Sequence, residues 1–305
     1  MKRGSQIFSS IKRAPFLFIA PFFIIYFAFN IFPLAFSFII SLTSWNGVGA
    51  MNFMGLENYK RLFTEDSLFW QSLWNTVRII LLVTPVQVLL GLVLAVLLKD
   101  FFKGRARSVL QFVNFAPYIT TPVAVGILFS ILFDARKGTI NQILMMTGLI
   151  DSEIEFLTRP ASALMVLCIL LTWKYFGYLM VMFMAGLSTI PESEYEAARI
   201  DGGNGIQIFF YVTIPRLKNT FVFVFTTGII GSLQLFAEPY LLFQQNKQPY
   251  GGPGRAAHTL VMYLYDTAFR RFELGYGAAI SFGIFFITLV ISVVTINNLL
   301  GGERE

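Results

Sequence analysis

The segment between the fourth and fifth apolar runs of this 305-residue chain reads EAARIDG at residues 196–202 and VTIP at residues 212–215. Just before it, Thr189 and Glu192 have the spacing of a capping box, and Pro191 suits a first helical turn. This pattern predicts a helix that ends at Arg199 or Ile200.

The turn after that helix contains Gly202 and Gly203, which permit the positive φ that ends a helix. A second short helix is expected over residues 206–212, and Pro215 is expected to break it before the next apolar run. The segment is therefore predicted to be a compact pair of helices between two membrane spans, with no room for a domain.

The composition of the chain indicates a membrane protein. Hydrophobic residues make up 56% of the chain and charged residues 13%, whereas soluble domains carry roughly 25% charge. Cys168 is the only cysteine and His258 the only histidine, which excludes an intrachain disulfide, a thiolate cluster and a multi-histidine metal site. The net charge of +6 lies in short clusters beside apolar runs, which is typical of membrane orientation rather than of nucleic-acid binding.

Six apolar runs are long enough to cross a bilayer core, which takes about 20 helical residues. They cover residues 16–41, 77–98, 109–133, 161–187, 221–243 and 276–300. Prolines lie within several of them, and such breaks are tolerated where neighbouring helices or a polar pathway satisfy the backbone. We therefore predict an all-α membrane protein with six transmembrane helices.

Lysine and arginine residues predict the orientation of these spans, because they accumulate on the cytoplasmic side. They cluster before the first run (Lys2, Arg3, Lys12, Arg13) and between the second and third runs (Lys99, Lys103, Arg105, Arg107). A late outer connection with Lys247, Arg255, Arg270 and Arg271 runs against the rule. We expect a cytoplasmic N-terminal segment at residues 1–14, a six-span domain at 15–300 and a cytoplasmic tail at 301–305.

The segment around Glu196 has the features of a docking element. Ala197 and Ala198 have almost no side chain, so another surface can approach closely, and Glu196 and Asp201 offer charge to a partner. A catalytic carboxylate pair is a poorer interpretation, since no histidine, cysteine or activated serine accompanies it. A loop that only connects two spans is the remaining alternative.

The same residues resemble the cytoplasmic EAA loop of ATP-binding-cassette (ABC) importer permeases. The family pattern is EAA, three residues, Gly, nine residues, then two apolar positions one residue apart and Pro. This chain matches it from Glu196 to Pro215, with Val212 and Ile214 at the apolar positions. Residues 53–59 (FMGLENY), 115–118 (FAPY), 138–141 (GTIN) and 251–253 (GGP) are similar to segments of carbohydrate-uptake permeases of the MalF and UgpA type, in the binding-protein-dependent transport family.

The resemblance implies a permease subunit with the type I ABC importer fold and both termini in the cytoplasm. Its partners would be a second, MalG/UgpE-like permease, two copies of a cytoplasmic ABC ATPase, an extracellular solute-binding protein, a sugar (oligosaccharide) and the lipid bilayer of a bacterial or archaeal cell membrane. Residues 189–218 would form the coupling loop. The implied ATPase-coupling residues are Glu196, Ala197, Ala198, Asp201, Gly202, Ile214 and Pro215.

Catalysis is not expected of this chain. It has no G-x-x-x-x-G-K-[ST] sequence, so it should bind no cofactor and hydrolyse no ATP. In the family resemblance, ATP and Mg²⁺ are bound by the partner ATPases.

Polar residues inside the spans are candidates for the substrate pathway, because ionisable groups are costly there. Lys174 and Glu238 differ in depth by roughly 10 Å at a rise of about 1.5 Å per residue, which leaves a direct pair between them open. Gln234 is expected one turn below Glu238 on the same helical face. The substrate-pathway candidates are Gln234, Glu238, Tyr240, Tyr118, Tyr178 and Lys174, and for Lys174 snorkelling or structural pairing is favoured over ligand contact. For each of them an interhelical hydrogen bond or an interfacial position is the alternative.

Other functions remain open from the sequence. Related permeases carry glycerol-phosphate or charged saccharides, and the residues do not fix the solute. A stand-alone secondary transporter would have internal repeats with matching broken segments, and the chain has no second EAA-like segment. An intramembrane enzyme lacks a paired catalytic motif.

Overall fold

The computed structural model describes residues 18–244 and 250–300, and these residues are almost entirely helical. Within this part of the chain, β pairing is confined to one isolated bridge between Thr43 and Phe53. The predicted all-α class is therefore confirmed. The segments predicted at residues 1–14 and 301–305, the start of the first run and Lys247 lie outside the described residues.

The main helices of the described chain are numbered here in order. They are α1 (Phe18–Ser41), α2 (Ser67–Phe101), α3 (Gly104–Ile119), α4 (Pro122–Leu132), α5 (Thr139–Met146), α6 (Pro160–Ser188), α7 (Glu192–Ile200), α8 (Gly205–Arg216), α9 (Lys218–Leu233), α10 (Ala237–Gln244), α11 (Leu260–Tyr265) and α12 (Leu274–Leu300). Short helical turns at Glu57–Lys60, Arg61–Glu65, Pro253–Arg255 and Asp266–Arg270 connect them.

Four of these helices are long and apolar enough to cross a membrane: α1, α2, α6 and α12. Two bent pairs pass the same test together, α3 with α4 at 93° and α8 with α9 at 65°. Counting each bent pair as one span gives six, the number predicted from the sequence, although the fifth run predicted at 221–243 covers α9 and α10 rather than α8 and α9. The third predicted run is thus a sharply bent pair rather than a straight helix.

The bend between α3 and α4 follows from local sequence. Thr120 and Thr121 are extended, and Pro122, which has no N–H to donate, starts the new helix. The Thr121 hydroxyl accepts a hydrogen bond from the Ala124 N–H at 3.4 Å and so caps α4. By contrast, Pro85 lies inside α2 without ending it.

The fifth predicted run, residues 221–243, is also discontinuous. Helix α9 ends at Leu233 and α10 starts at Ala237, so the backbone between them leaves the helical ladder. The Leu235 carbonyl in this break accepts a hydrogen bond from the Thr259 hydroxyl at 2.6 Å, in a buried position. A side chain therefore replaces a backbone donor that the break removes.

The described residues form two compact units, residues 18–66 with 264–283, and residues 67–263 with 284–300, apart from the undescribed 245–249. In the first unit, Asn58 donates to the carbonyls of Ser41 and Thr43, at 2.9 and 2.8 Å, and ties the turn after α1 together. In the second unit, α6 packs along α2 and α3. Gly177 of α6 permits the closest approach, because a Cβ there would collide with the Asn114 carbonyl of α3.

Candidate functional site

The polar segment between α6 and α9 folds as a helical hairpin, α7–turn–α8, here called the coupling hairpin (residues 189–217). Helix α7 begins after Pro191, which occupies the N-cap position without a side-chain cap. The Thr189 hydroxyl donates instead to the Gly186 carbonyl at 2.7 Å, because Thr189 still belongs to the last turn of α6. The predicted capping box of Thr189 and Glu192 is therefore wrong, whereas the predicted helix end at Ile200 is confirmed.

The turn of the coupling hairpin is fixed by backbone hydrogen bonds. Gly202 has a φ of 85°, which favours glycine. The Gly203 N–H bonds the Ala198 carbonyl at 2.9 Å and the Gly202 N–H bonds the Arg199 carbonyl at 3.1 Å. This is the Schellman pattern expected of a glycine that ends a helix.

A capping box does occur in the hairpin, but at the start of α8. The Gln207 N–H bonds the Asn204 side chain and the Asn204 N–H bonds the Gln207 side chain, each at 2.9 Å. Together with the Schellman turn, this box provides hydrogen-bond partners for backbone groups on both sides of the glycines. The hairpin is therefore a rigid element rather than a loose loop.

Helix α8 is longer than the predicted 206–212, and Pro215 does not end it. Residues Phe209–Thr213 form a π-helical turn, and Ile214 and Pro215 continue into a last turn that ends at Arg216. A π turn moves the hydrogen bonds by one residue, so the missing N–H of Pro215 is accommodated inside the helix. The 65° bend falls after Arg216.

A few specific contacts join the two helices of the hairpin to each other and to the end of α2. The Tyr195 ring is buried under the ammonium of Lys99, which lies 4.1 Å from the ring centroid. The Tyr195 hydroxyl lies 3.4 Å from the Thr213 hydroxyl, and Arg216 pairs with Glu194 at 2.7 Å across the two helices. These contacts connect α7, α8 and the end of α2.

The outer face of the hairpin presents the residues singled out in the sequence. Glu196, Ala197, Asp201, Gly202 and Pro215 are exposed, and Ala198 and Ile214 are half-buried. Sequence reasoning missed two apolar residues on either side of the turn, Ile200 at 85% and Ile206 at 72% exposed. The signal was present for Ile200, an isoleucine in an otherwise polar stretch, but Ile206 precedes the apolar run of α8 and is not marked by its neighbours. These two exposed side chains are candidates for contact with a partner.

A second candidate site is a cavity of about 240 Å³ within the spans, here called the tyrosine cavity. Its lining residues come from α2, α3, α6, α9 and the break after α9. They are Val83, Gln87, Tyr118, Leu171, Tyr175, Tyr178, Leu179, Thr227, Gly228, Gly231, Ser232 and Leu235. The lining combines aromatic rings with hydroxyl and amide groups and contains no charged side chain.

Three tyrosines form one side of the tyrosine cavity. Tyr118 stacks on Tyr178 with ring centroids 4.7 Å apart and meets Tyr175 edge-on at 5.9 Å. The predicted candidates Tyr118 and Tyr178 are thus brought together, although they lie on α3 and α6. Sequence reasoning missed Tyr175, Gln87, Thr227 and Ser232. The hydroxyl and amide groups offered a weak signal, because such residues are common in spans for packing reasons.

Behind Tyr175 lies a buried ion pair. Lys174 Nζ is 2.5 Å from Glu238 Oε1, and the two side chains are 4% and 6% exposed. The Tyr175 hydroxyl donates to the same carboxylate oxygen at 2.9 Å. The expectation of a 10 Å difference in depth was wrong, because it assumed a straight fifth span. The break before α10 brings Glu238 to the level of Lys174.

The remaining pathway candidates lie elsewhere. Gln234 caps the end of α9 and is exposed, so it does not share a helical face with Glu238, which belongs to α10. Tyr240 stacks on Phe236 at 5.2 Å and meets Tyr250 edge-on at 5.9 Å. Neither Gln234 nor Tyr240 lines the tyrosine cavity, and neither do Lys174 and Glu238.

Comparison with known families finds one match that covers most of the chain. The family described as "Binding-protein-dependent transport system inner membrane component" matches residues 87–302. The match therefore includes the coupling hairpin, the ion pair and most of the residues that line the tyrosine cavity.

Individual relatives match almost the whole length. The chain is 33% identical to the arabinooligosaccharides transport system permease protein AraP of Bacillus subtilis, over 95% of this chain and 90% of the relative. It is 35% identical to the lactose transport system permease protein LacF of Rhizobium radiobacter, over 93% and 94%. Among solved structures, a chain of a bacterial ABC transporter that imports the acidic polysaccharide alginate matches with a TM-score of 0.81 at 20% identity, over 96% and 98%.

Proposed function

Because this chain belongs to the family of binding-protein-dependent transport system inner membrane components, we propose that it is a permease subunit of an ATP-driven oligosaccharide importer. It forms half of the translocation pathway and transmits the ATPase cycle through the coupling hairpin. The proposal rests chiefly on that hairpin, which is rigid at its turn and presents two exposed isoleucines beside two alanines. A stand-alone transporter would have no need of such a surface.

The coupling hairpin suits a soluble ATPase as its partner. Ile200 and Ile206 supply apolar anchors, Ala197 and Ala198 allow a close approach, and Glu196 and Asp201 add polar contacts around them. Small central patches of this kind contribute most of the affinity at protein interfaces. The Schellman turn at Gly202 lets the hairpin transmit force without bending.

The full transporter then contains several other chains. We propose a second permease of the MalG/UgpE-like kind, two copies of the ATPase that bind ATP and Mg²⁺, and an extracellular solute-binding protein. A solved relative of the fold was determined "in complex with alginate pentasaccharide-bound periplasmic protein". The assembly resides in the cytoplasmic membrane of a bacterial or archaeal cell, with the coupling hairpin on the cytoplasmic side.

The tyrosine cavity is proposed to contact the sugar. Stacked Tyr118 and Tyr178 rings offer flat apolar faces to a pyranose or furanose ring, while Gln87, Thr227 and Ser232 offer hydrogen bonds to its hydroxyl groups. Two relatives are named for arabinooligosaccharides and lactose. An uncharged lining favours a neutral saccharide over glycerol-phosphate or a charged saccharide, which would need an ion partner in the cavity.

Glu238 and Lys174 are proposed to act through Tyr175 rather than by touching the sugar. The ion pair joins α10 to α6, and the Tyr175 hydroxyl that it holds belongs to a ring at the cavity wall. Gln234 and Tyr240 remain pathway candidates only for a conformation in which the segments around the break have moved.

Co-purification and reconstitution test the proposal. The tagged chain, expressed with its genomic neighbours, is expected to recover an ATPase and a second permease. The reconstituted complex is expected to hydrolyse ATP faster when its binding protein carries the correct oligosaccharide from a panel of neutral and charged sugars. Sugar uptake driven by an ion gradient in vesicles that contain this chain alone would instead favour a secondary transporter.

A further inference from the structure

The connection between α2 and α3 carries an unusual concentration of positive charge. Residues 99–107 read KDFFKGRAR, which gives four cations and one carboxylate. The helix that follows has basic rather than acidic residues in its first turn, Arg105 and Arg107, although negative charge is favoured at a helix N-terminus. We call Lys99, Lys103, Arg105 and Arg107 the basic connection.

A large cleft opens between the basic connection and the coupling hairpin. Its volume is about 780 Å³, within the range of small-molecule pockets. Lys99, Lys103 and Arg199 line it together with the carboxylates Asp100 and Glu192, so the lining carries one net positive charge.

The cations of the cleft are only weakly compensated. Arg199 and Glu192 are 3.5 Å apart and more than 60% exposed, a surface pair of little strength. Lys99 rests on the Tyr195 ring, which orients the ammonium without neutralising it. An anion in the cleft would therefore meet three cationic groups, of which Arg199 is weakly paired with Glu192.

Exposed aromatic residues occur in and next to the lining of this cleft. Phe210 of α8 lines it and is 59% exposed, while Phe101 and Tyr211, which follow the lining residues Asp100 and Phe210 in the chain, are 74% and 79% exposed. Aromatic rings next to lysine and arginine at the end of a span are typical of the headgroup level of a membrane. At that level the most abundant anion is a phospholipid headgroup rather than a soluble metabolite.

From this placement we propose that the cleft between the basic connection and the coupling hairpin binds the phosphodiester headgroup of an anionic phospholipid. Basic pockets between spans are a known form of headgroup recognition. The bound lipid would lie against Lys99, and Lys99 contacts Tyr195 of α7. Lipid charge would therefore support the hairpin and strengthen its coupling to the ATPase. This inference rests on the proposed function of the hairpin.

The test uses the complete transporter reconstituted in vesicles of phosphatidylcholine alone or of phosphatidylcholine with about one third phosphatidylglycerol. ATP hydrolysis stimulated by the sugar-loaded binding protein is expected to rise several-fold with phosphatidylglycerol and to lose this gain at high salt. Lys103→Gln and Arg199→Gln should each need about fivefold more anionic lipid for the same gain. Lys137→Gln, at an exposed lysine between α4 and α5, is the matched control and should behave as the native chain.

Direct binding completes the test. Native mass spectrometry of the purified complex should retain phosphatidylglycerol, and less of it in the Lys103→Gln, Arg199→Gln double variant. Inorganic phosphate added to phosphatidylcholine vesicles should give no gain, and a gain would overturn the lipid as occupant in favour of a free anion. Equal stimulated hydrolysis in both vesicle types would overturn the inference while leaving the importer intact. Absence of stimulated hydrolysis in every lipid would instead contradict the proposed function.

Discussion

The buried ion pair between Lys174 and Glu238 supports a quantitative prediction. Glu238→Ala leaves the Lys174 ammonium without its carboxylate in a site where the lysine side chain is 4% exposed. Removing one partner of a buried pair costs about 3–5 kcal/mol, because the remaining charge is uncompensated. The substitution also removes the acceptor of the Tyr175 hydroxyl, 2.9 Å away, and so loosens a wall of the tyrosine cavity.

Thermal unfolding of the purified transporter measures the cost. At roughly 2–4 °C per kcal/mol for a domain of this order of size, Glu238→Ala should lower the midpoint by on the order of 10 °C. The double variant Lys174→Met, Glu238→Gln removes both charges and keeps an oxygen for Tyr175. It should recover to within about 1 kcal/mol of the native chain, since replacing a whole buried pair is often neutral.

Sugar uptake and ATPase co-purification distinguish a defect in the pathway from a defect in the coupling hairpin. Glu238→Ala is expected to impair sugar uptake into proteoliposomes, whereas the ATPase should still co-purify, because the ion pair lies within the spans. If Glu238→Ala unfolds at the native midpoint and takes up sugar normally, the ion pair supports neither the fold nor the cavity. That result would also remove Glu238 from the pathway.

Three further predictions concern the cavity and the hairpin. Tyr118→Leu removes the ring stacked on Tyr178 and should raise the half-saturating sugar concentration for uptake about three- to tenfold, since aromatic contacts contribute about 0.5–1.5 kcal/mol. Tyr118→Phe keeps the ring and should leave this concentration unchanged. Equal effects of the two variants would contradict the stacking role. Gly202→Ala strains a backbone at φ 85° by about 1–2 kcal/mol and should reduce the ATP hydrolysis that the binding protein stimulates. Gly205→Ala is the control, because Gly205 lies in open space without a positive φ, and it should hydrolyse ATP as the native chain does. Asn204→Ala removes the capping box and should destabilise α8 by about 0.5–2 kcal/mol, measured as faster amide hydrogen exchange there; unchanged exchange would argue against the box.

The sequence predicted the class, the number of spans and the location of the hairpin, because hydropathy and glycine turns are local signals. Gly202 and Gly203 predicted the end of α7 correctly. The capping box was assigned to Thr189 and Glu192, although Asn204 and Gln207 have the same spacing. Spacing alone does not decide whether a threonine begins a new helix or ends the previous one, and here Thr189 ends α6.

The spans were predicted less well because their breaks depend on distant contacts. Whether the backbone leaves the helix after Leu233 depends on a partner such as Thr259, which is 24 residues from Leu235. Only this break aligns Glu238 with Lys174, so the ion pair and the role of Tyr175 were not predictable from straight helices. Tyr118 and Tyr178 were identified by residue type, and the close packing of α3 on α6 at Gly177 brings them together.

Recovery of the ATPase with hairpin variants shows whether the coupling hairpin binds it. Ile200→Asp places a charge on a side chain that is 85% exposed, so the fold of this chain should not change. Leu149→Asp, at a leucine that is 72% exposed after α5, is the matched control. We expect Ile200→Asp to lose most of the co-purified ATPase, whereas Leu149→Asp and the native chain should retain it. Full recovery of the ATPase with Ile200→Asp would contradict the account of the coupling hairpin.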